Sequence, residues 1–132
     1  MDMEKLTAGL VTMRPFLPAK DFAQSRSFYE ALGFTVRPIG DKAAHVQLGD
    51  RPGAFAFLLQ DYYVKEFAEN FMMHVLVENL DDWWRHIESL DLEKRFGVGA
   101  PRAPKTEPWG LRVSYVFDPA GVLWHFAEDK KD

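Results

Sequence analysis

The stretch that decides the fold is Asp118-Pro119-Ala120-Gly121-Val122-Leu123-Trp124-His125-Phe126. Asp118-Pro119 opens a tight turn, and Gly121 supplies the left-handed residue that a Cβ would penalise. Val122 to Phe126 is a β-prone run whose side chains alternate between two faces. An earlier stretch is built alike: Gly49-Asp50-Arg51-Pro52-Gly53-Ala54-Phe55-Ala56-Phe57. Asp50 precedes Asp118 by 68 positions and Gly53 precedes Gly121 by the same 68, which makes Phe57 the counterpart of His125. Two copies of one turn-plus-strand unit predict an internal duplication.

Working outward, Asp21 caps a helix in which Phe22, Ser25/Arg26, Phe28/Tyr29 and Leu32 follow helical spacing, and Gly33 ends it. Asn79 caps a second helix with Leu80, Trp83/Trp84, Ile87 and Leu90 on its buried face. These helices correspond at 58 positions: Asp21 with Asn79, Phe22 with Leu80, Leu32 with Leu90. The strands expected around them are Leu10–Leu17, Phe34–Ile39, Ala43–Leu48 and Ala54–Gln60, then Phe71–Glu78, Leu111–Phe117 and Val122–Ala127. Pro15 cannot donate to a ladder, so the first strand belongs at an edge or an exchange point. Residues 61–69 form a connector between modules at about 8–60 and 70–128. The change of register from 58 to 68 implies about ten residues inserted between Leu92 and Leu111. Glu93 to Gly110, rich in Gly and Pro and carrying Thr106-Glu107-Pro108-Trp109-Gly110, reads as a long functional loop.

A chain of 132 residues, 47% of them hydrophobic, makes one domain with a sizeable core. Its net charge of -4 argues against nucleic acid as the main partner. The absence of cysteine excludes disulfides, thiolate metal sites and a Cys nucleophile. Met1 to Lys5 lacks the form of a signal peptide, and no run approaches the length of a membrane span, so a cytoplasmic protein is expected. There is no nucleophile elbow, phosphate-binding Gly loop or dinucleotide fingerprint. The paired acids Asp81-Asp82 suit a helix's opening turn, and Glu128-Asp129 belong to a charged tail.

A duplicated β-α-β-β-β unit, with Phe28-Tyr29 followed by Leu32-Gly33-Phe34, resembles the vicinal oxygen chelate superfamily. That superfamily includes glyoxalase I, extradiol dioxygenases, fosfomycin-resistance and bleomycin-resistance proteins. Pro108-Trp109-Gly110, Arg112, Asp118-Pro119-Ala120-Gly121 and His125-Phe126 resemble the C-terminal signature of the bleomycin-resistance group. Leu111 departs from it, intervening between Gly110 and Arg112 where that signature has Gly followed directly by Arg. The resemblance implies an α+β fold: two tandem modules forming a half-open curved sheet with helices on its outer face.

In metal-dependent members each module gives one ligand from its first strand and one from its last. The two registers place those positions at Arg14 and Met72, and at Phe57 and His125. Arg cannot ligate a hard cation, Phe offers no donor and a thioether suits soft metals only. One ligand of four remains, so no metal, cofactor or catalytic residue is expected. His74 shares a strand face with Met72, and an off-pattern site of His74, His125 and a carboxylate is the alternative. His125 otherwise reads as a polar wall residue bonded to a ligand or to Tyr115. His45 lies on a neighbouring strand, and His86 is expected to face solvent. Arg14 either binds an anionic group or pairs with a carboxylate such as Glu69 at the module seam.

On the same strand parity, Phe55, Phe57, Leu59, Met72, His74, Leu123 and His125 would line a cavity, joined by Trp109. Arg112 and Tyr115 complete the expected ligand-binding set. Such a pocket suits an aromatic or cationic small molecule, although Phe55 and Leu59 fit a plain core equally well. Of Trp83 and Trp84, one is expected in the core and the other at a subunit interface. The resemblance further implies a homodimer that exchanges Leu6 to Leu17 between subunits. Three functions stay open: non-catalytic sequestration of an antibiotic-like molecule of bleomycin type, a divalent-metal lyase, isomerase or dioxygenase with non-standard ligands, and binding of an ordinary metabolite.

Overall fold

A computed structural model describes residues 2–129. Helices α1 (Met3–Thr7), α2 (Phe22–Leu32), α3 (Lys65–Ala68), α4 (Leu80–Ser89) and α5 (Leu92–Phe96) accompany eight strands. The strands are β1 (Phe16–Pro18), β2 (Thr35–Ile39), β3 (Ala43–Gln47), β4 (Ala56–Gln60), β5 (Met72–Leu76), β6 (Arg102–Thr106), β7 (Arg112–Phe117) and β8 (Leu123–Glu128). They form two four-stranded mixed sheets, ordered β1-β4-β3-β2 and β5-β8-β7-β6. In each sheet the first strand runs parallel to the last and the others pair antiparallel. The α+β architecture is the expected one.

Helix α2 starts where the sequence says it should: the Asp21 carboxylate accepts the Gln24 amide at 3.1 Å. Its buried stripe, Ser25, Phe28, Tyr29 and Leu32, packs on the sheets. Asn79 precedes α4 as expected but makes no side-chain cap. The Leu80 amide instead donates to Glu128 on β8, at 3.3 Å. One sheet face is covered by these helices and holds Leu17, Val46, Phe57, Leu59, Trp124 and Phe126, all buried. Trp83 of α4 stacks on Phe126 with ring centroids 5.1 Å apart. The opposite parity forms an open face turned away from α2 and α4, with Phe67 of α3 beside Phe16 and Pro18 at its edge.

Three expectations need correction. The first strand is only Phe16–Pro18; residues 10–15 approach it without strand structure. Pro15 and Pro18 both lack the amide a longer ladder would use, and Pro15 contributes its carbonyl to the Leu58 amide at 2.9 Å. The long loop Glu93–Gly110 is largely ordered, holding most of α5 and all of β6. Strand β6 is an edge strand exposed at four of its five positions, where Pro104 is tolerated and the register shifts between Arg102 and Lys105. Its polar sequence therefore carries no alternating signal. Finally, His86 does not face solvent: its Nε2 lies 2.8 Å from the carbonyl of Leu32, tying α4 to the end of α2.

The Asp118 turn is the node between the halves. Asp118 Oδ1 accepts the amides of Ala120 and Val122 at 2.8 and 2.9 Å. Gly121 sits at φ 97°, closing the turn with a 3.0 Å bond to the Asp118 carbonyl. Asp118 Oδ2 accepts the Tyr29 hydroxyl, which in turn accepts the Trp124 indole N–H at 3.0 Å. Tyr29, Phe34, Phe57 and Trp124 pack edge-on or tilted with centroids 4.9–5.8 Å apart. One aromatic cluster thus joins both sheets.

Candidate functional site

The pairing of β1 with β4 sets Phe16 opposite Leu58, and the pairing of β5 with β8 sets His74 opposite His125. Phe16 precedes His74 by 58, as the helix register predicts, so Leu58 corresponds to His125 at 67 rather than 68. The repeat of the Asp-Gly turn is thus one residue out of step with the strands. In a structure of period two that slip moves a side chain to the other face. Phe57 accordingly matches Trp124, not His125, and both are core residues at 1% exposure. Leu59 shares that helix-covered face. Neither lines the open face as expected.

Across the second sheet the open face carries one polar row: His74, His125, Tyr115 and Arg102, on four adjacent strands. The rings of His74 and His125 lie 5.9 Å apart, and Tyr115 meets His125 edge-on at 4.9 Å. Met72 pairs with Leu123 in the next row, so apolar side chains flank the histidines. Burial, then the charge of His74, pushes the His125 imidazole below its ordinary value, against Glu107. Its Nε2 is buried without a hydrogen-bond partner among the described residues. Burial, then the charge of Glu107, pushes the Tyr115 phenol up, against Arg102. Arg102 was hidden in what read as a loop; its place opposite Tyr115 follows only from β6.

Across the first sheet the corresponding row is Phe16, Leu58, His45 and Arg37. His45 is buried, and its imidazole is pushed down by that burial and then by the nearby charges of Arg37 and Arg14. Arg14 is exposed beside this row. Of its two readings, the pairing with a carboxylate is not made: Arg14 has no ion-pair partner among the described residues.

Arg112 belongs elsewhere. It lies on the helix-covered face, donating to Asp81 of α4 at 2.8 Å and to Glu128 at 3.3 Å. It clamps a helix to a sheet, and it is not with Tyr115 and His125, because adjacent strand residues point to opposite faces. Trp109 sits 58% exposed at the tip of the β6–β7 hairpin, which is closed by the Gly110 amide on the Glu107 carbonyl at 2.9 Å. Phe55 is half exposed beneath the Arg51 guanidinium, 4.9 Å from the ring. It borders a cavity of about 340 Å³ between the run-in to β1 and strand β5, whose other walls include Met13, Pro15, His74 and Leu76, with Phe57 and Trp124 at its apolar side. Of the expected set, His74, His125, Tyr115 and Met72 come together, His74, Phe55 and Phe57 share this cavity, and Arg14, Trp109 and Arg112 stand apart.

The donor set does not fit a divalent ion. His74 and His125 provide two nitrogens, the equivalent Phe16 and Leu58 provide none, and the described residues hold no cluster of three ligating side chains. About three protein ligands are needed for a catalytic divalent site.

The family model described as Glyoxalase/Bleomycin resistance protein/Dioxygenase superfamily matches residues 10–126. A bleomycin resistance protein of Klebsiella pneumoniae is 25% identical over 122 residues, spanning 88% of this chain and 90% of that protein. A crystal structure of a bleomycin-binding protein complexed with bleomycin has a TM-score of 0.75 at 23% identity, covering 92% of this chain and 100% of that one. A bleomycin-binding protein from bleomycin-producing Streptomyces verticillus, complexed with copper(II)-bleomycin, has a TM-score of 0.71 at 23% identity, over 92% and 98% of the two chains.

Proposed function

We propose, from the premise that this chain belongs to the Glyoxalase/Bleomycin resistance protein/Dioxygenase superfamily, that it binds and sequesters a small antibiotic-like molecule of bleomycin type without transforming it. The observation that carries the reading is the row His74-His125-Tyr115 set among Met72 and Leu123 on the sheet face opposite α4. Such a surface offers rings, methyl groups and a few hydrogen-bonding atoms, which hold a ligand but do not activate one. The relatives named for bleomycin support the ligand class. We read residues 8–60 and 70–128 as two modules joined by 61–69, acting in the cytoplasm as a homodimer. The exposure of Leu10, Val11 and Met13, at 75%, 91% and 93%, supports a partner subunit over the N-terminal segment.

Calorimetric titration with bleomycin tests the reading directly. Saturable binding weakened by Tyr115→Ala and His125→Ala is the expected result, and a flat titration at millimolar ligand overturns it. If bleomycin fails, an ordinary metabolite is the ligand to seek by thermal-shift screening. A metal-dependent activity is the second reading, favoured by one observation, the unpartnered His125 Nε2 beside His74. Elemental analysis after adding Mn, Fe, Ni and Zn salts decides it: near-stoichiometric metal abolished by His125→Ala sustains it.

A further inference from the structure

A second cleft, of about 690 Å³, opens at the Arg102 end of the polar row, where loop 97–101 and the turn 118–121 face Lys20, Tyr63 and Glu69. Arg102 and Phe117 close its remaining side. Two cations therefore border one cleft, and neither is consumed by a carboxylate. The Lys20 ammonium lies over the Tyr63 ring at 5.6 Å and the Arg102 guanidinium over Phe117 at 5.8 Å. Among the described residues neither forms an ion pair. The loop wall is thinned by Gly99, where a Cβ would stand 3.2 Å from the Phe117 ring. The amides of Gly99 and Ala100 donate to no acceptor among the described residues. Asp118, at the back, is buried with its oxygens committed to Tyr29, Ala120 and Val122.

Ring-held cations keep their full charge and their N–H donors, and backbone amides add neutral donors that need no desolvated counter-charge. From this arrangement we infer that the cleft is a binding site for a small organic oxyanion, a carboxylate or phosphate monoester, gripped by Lys20, Arg102 and the 99–100 amides. Glu69 is the opposing charge on its wall. The site shares Arg102 with the polar row, whereas the antibiotic reading rests on His74, His125 and Tyr115 and is tested separately with bleomycin.

The test is titration of the whole protein, at low salt, with phenyl phosphate, benzoate and inorganic phosphate, followed by calorimetry and amide NMR. Saturable binding of phenyl phosphate or benzoate is expected, with shifts at Gly99 and Ala100; which of the two binds tighter identifies the head group. Lys20→Ala and Arg102→Ala should each weaken binding about tenfold, the size of one lost charge-assisted hydrogen bond. Glu69→Gln should tighten it, and Arg37→Ala, a cation on the other sheet, should leave it unchanged. No binding of either organic probe overturns the inference. So does binding of inorganic phosphate alone, binding indifferent to Lys20 and Arg102, or binding lost equally in Arg37→Ala.

Discussion

The hydroxyl of Tyr29 donates to the carboxylate of Asp118 across 89 positions of chain, at 2.5 Å in a fully buried setting. Because the same carboxylate holds the Ala120 and Val122 amides, one side chain couples α2 to the turn that launches β8. Tyr29→Phe leaves Asp118 and the Trp124 indole each short of a partner. A loss of about 2–4 kcal/mol of stability is expected, measured by urea unfolding.

Burial pushes the Asp118 carboxyl up to about 6 from an ordinary 3.8, the hydrogen bonds from Tyr29 and the turn amides only partly opposing it. The folded chain thus keeps a proton that the unfolded chain has lost. The stability this group contributes is complete below about pH 4 and disappears as pH rises through about 6, a change of roughly 3 kcal/mol. Asp118→Asn cannot titrate. Unfolding free energies at pH 4 to 7 should show the wild type losing this component relative to the variant, and parallel curves would refute it.

Arg112→Ala should cost about 1–2 kcal/mol by removing the guanidinium's bonds to Glu128 and Asp81, since the Glu128 contact is largely screened from solvent while Asp81 is exposed. Ligand affinity should not change. A stability-neutral variant with lost binding would put Arg112 in the site after all.

His74→Ala should raise the His125 imidazole toward its ordinary value, because the charge of His74 is the second cause, after burial, of its depression. The imidazole C–H resonances, followed by NMR from pH 4 to 8, report this directly. An unmoved titration would mean burial alone sets it.

Phe57→Ala is expected to lose about 3–5 kcal/mol, as a large buried side chain removed from a packed cluster does. A groove residue would instead lose ligand affinity at unchanged stability, so the pair of measurements tells core from site.

Phe57 also shows where sequence reasoning stopped. Local chemistry was legible: Asp21 and Gly33 bound α2, and the Asp118 turn was visible from its Pro and Gly. The order of elements and the 58-residue correspondence followed from helical spacing. What failed was register. The first sheet's hairpin differs from the second by a residue between turn and strand, and only the ladder, Phe16 with Leu58 and His74 with His125, reveals it. Arg112 entered the set by resemblance, with Leu111 intervening after Gly110, and it lies on the opposite face from Tyr115. Strand β6 escaped because an edge strand exposed on both sides needs no apolar alternation, and Pro104 signals a loop to any local reading. His86 looked solvent-facing because its partner, the Leu32 carbonyl, belongs to a helix 54 residues away.

The two sheets repeat one strand order but carry unlike chemistry at matching positions: Phe16 where the other has His74, Leu58 for His125, His45 for Tyr115. Only the outermost place is kept, Arg37 and Arg102. A duplicated scaffold with identical faces would greet either end of a molecule alike. Divergence of these three pairs gives the fold a head and a tail, so that any molecule touching both sheets has one preferred direction in which to lie.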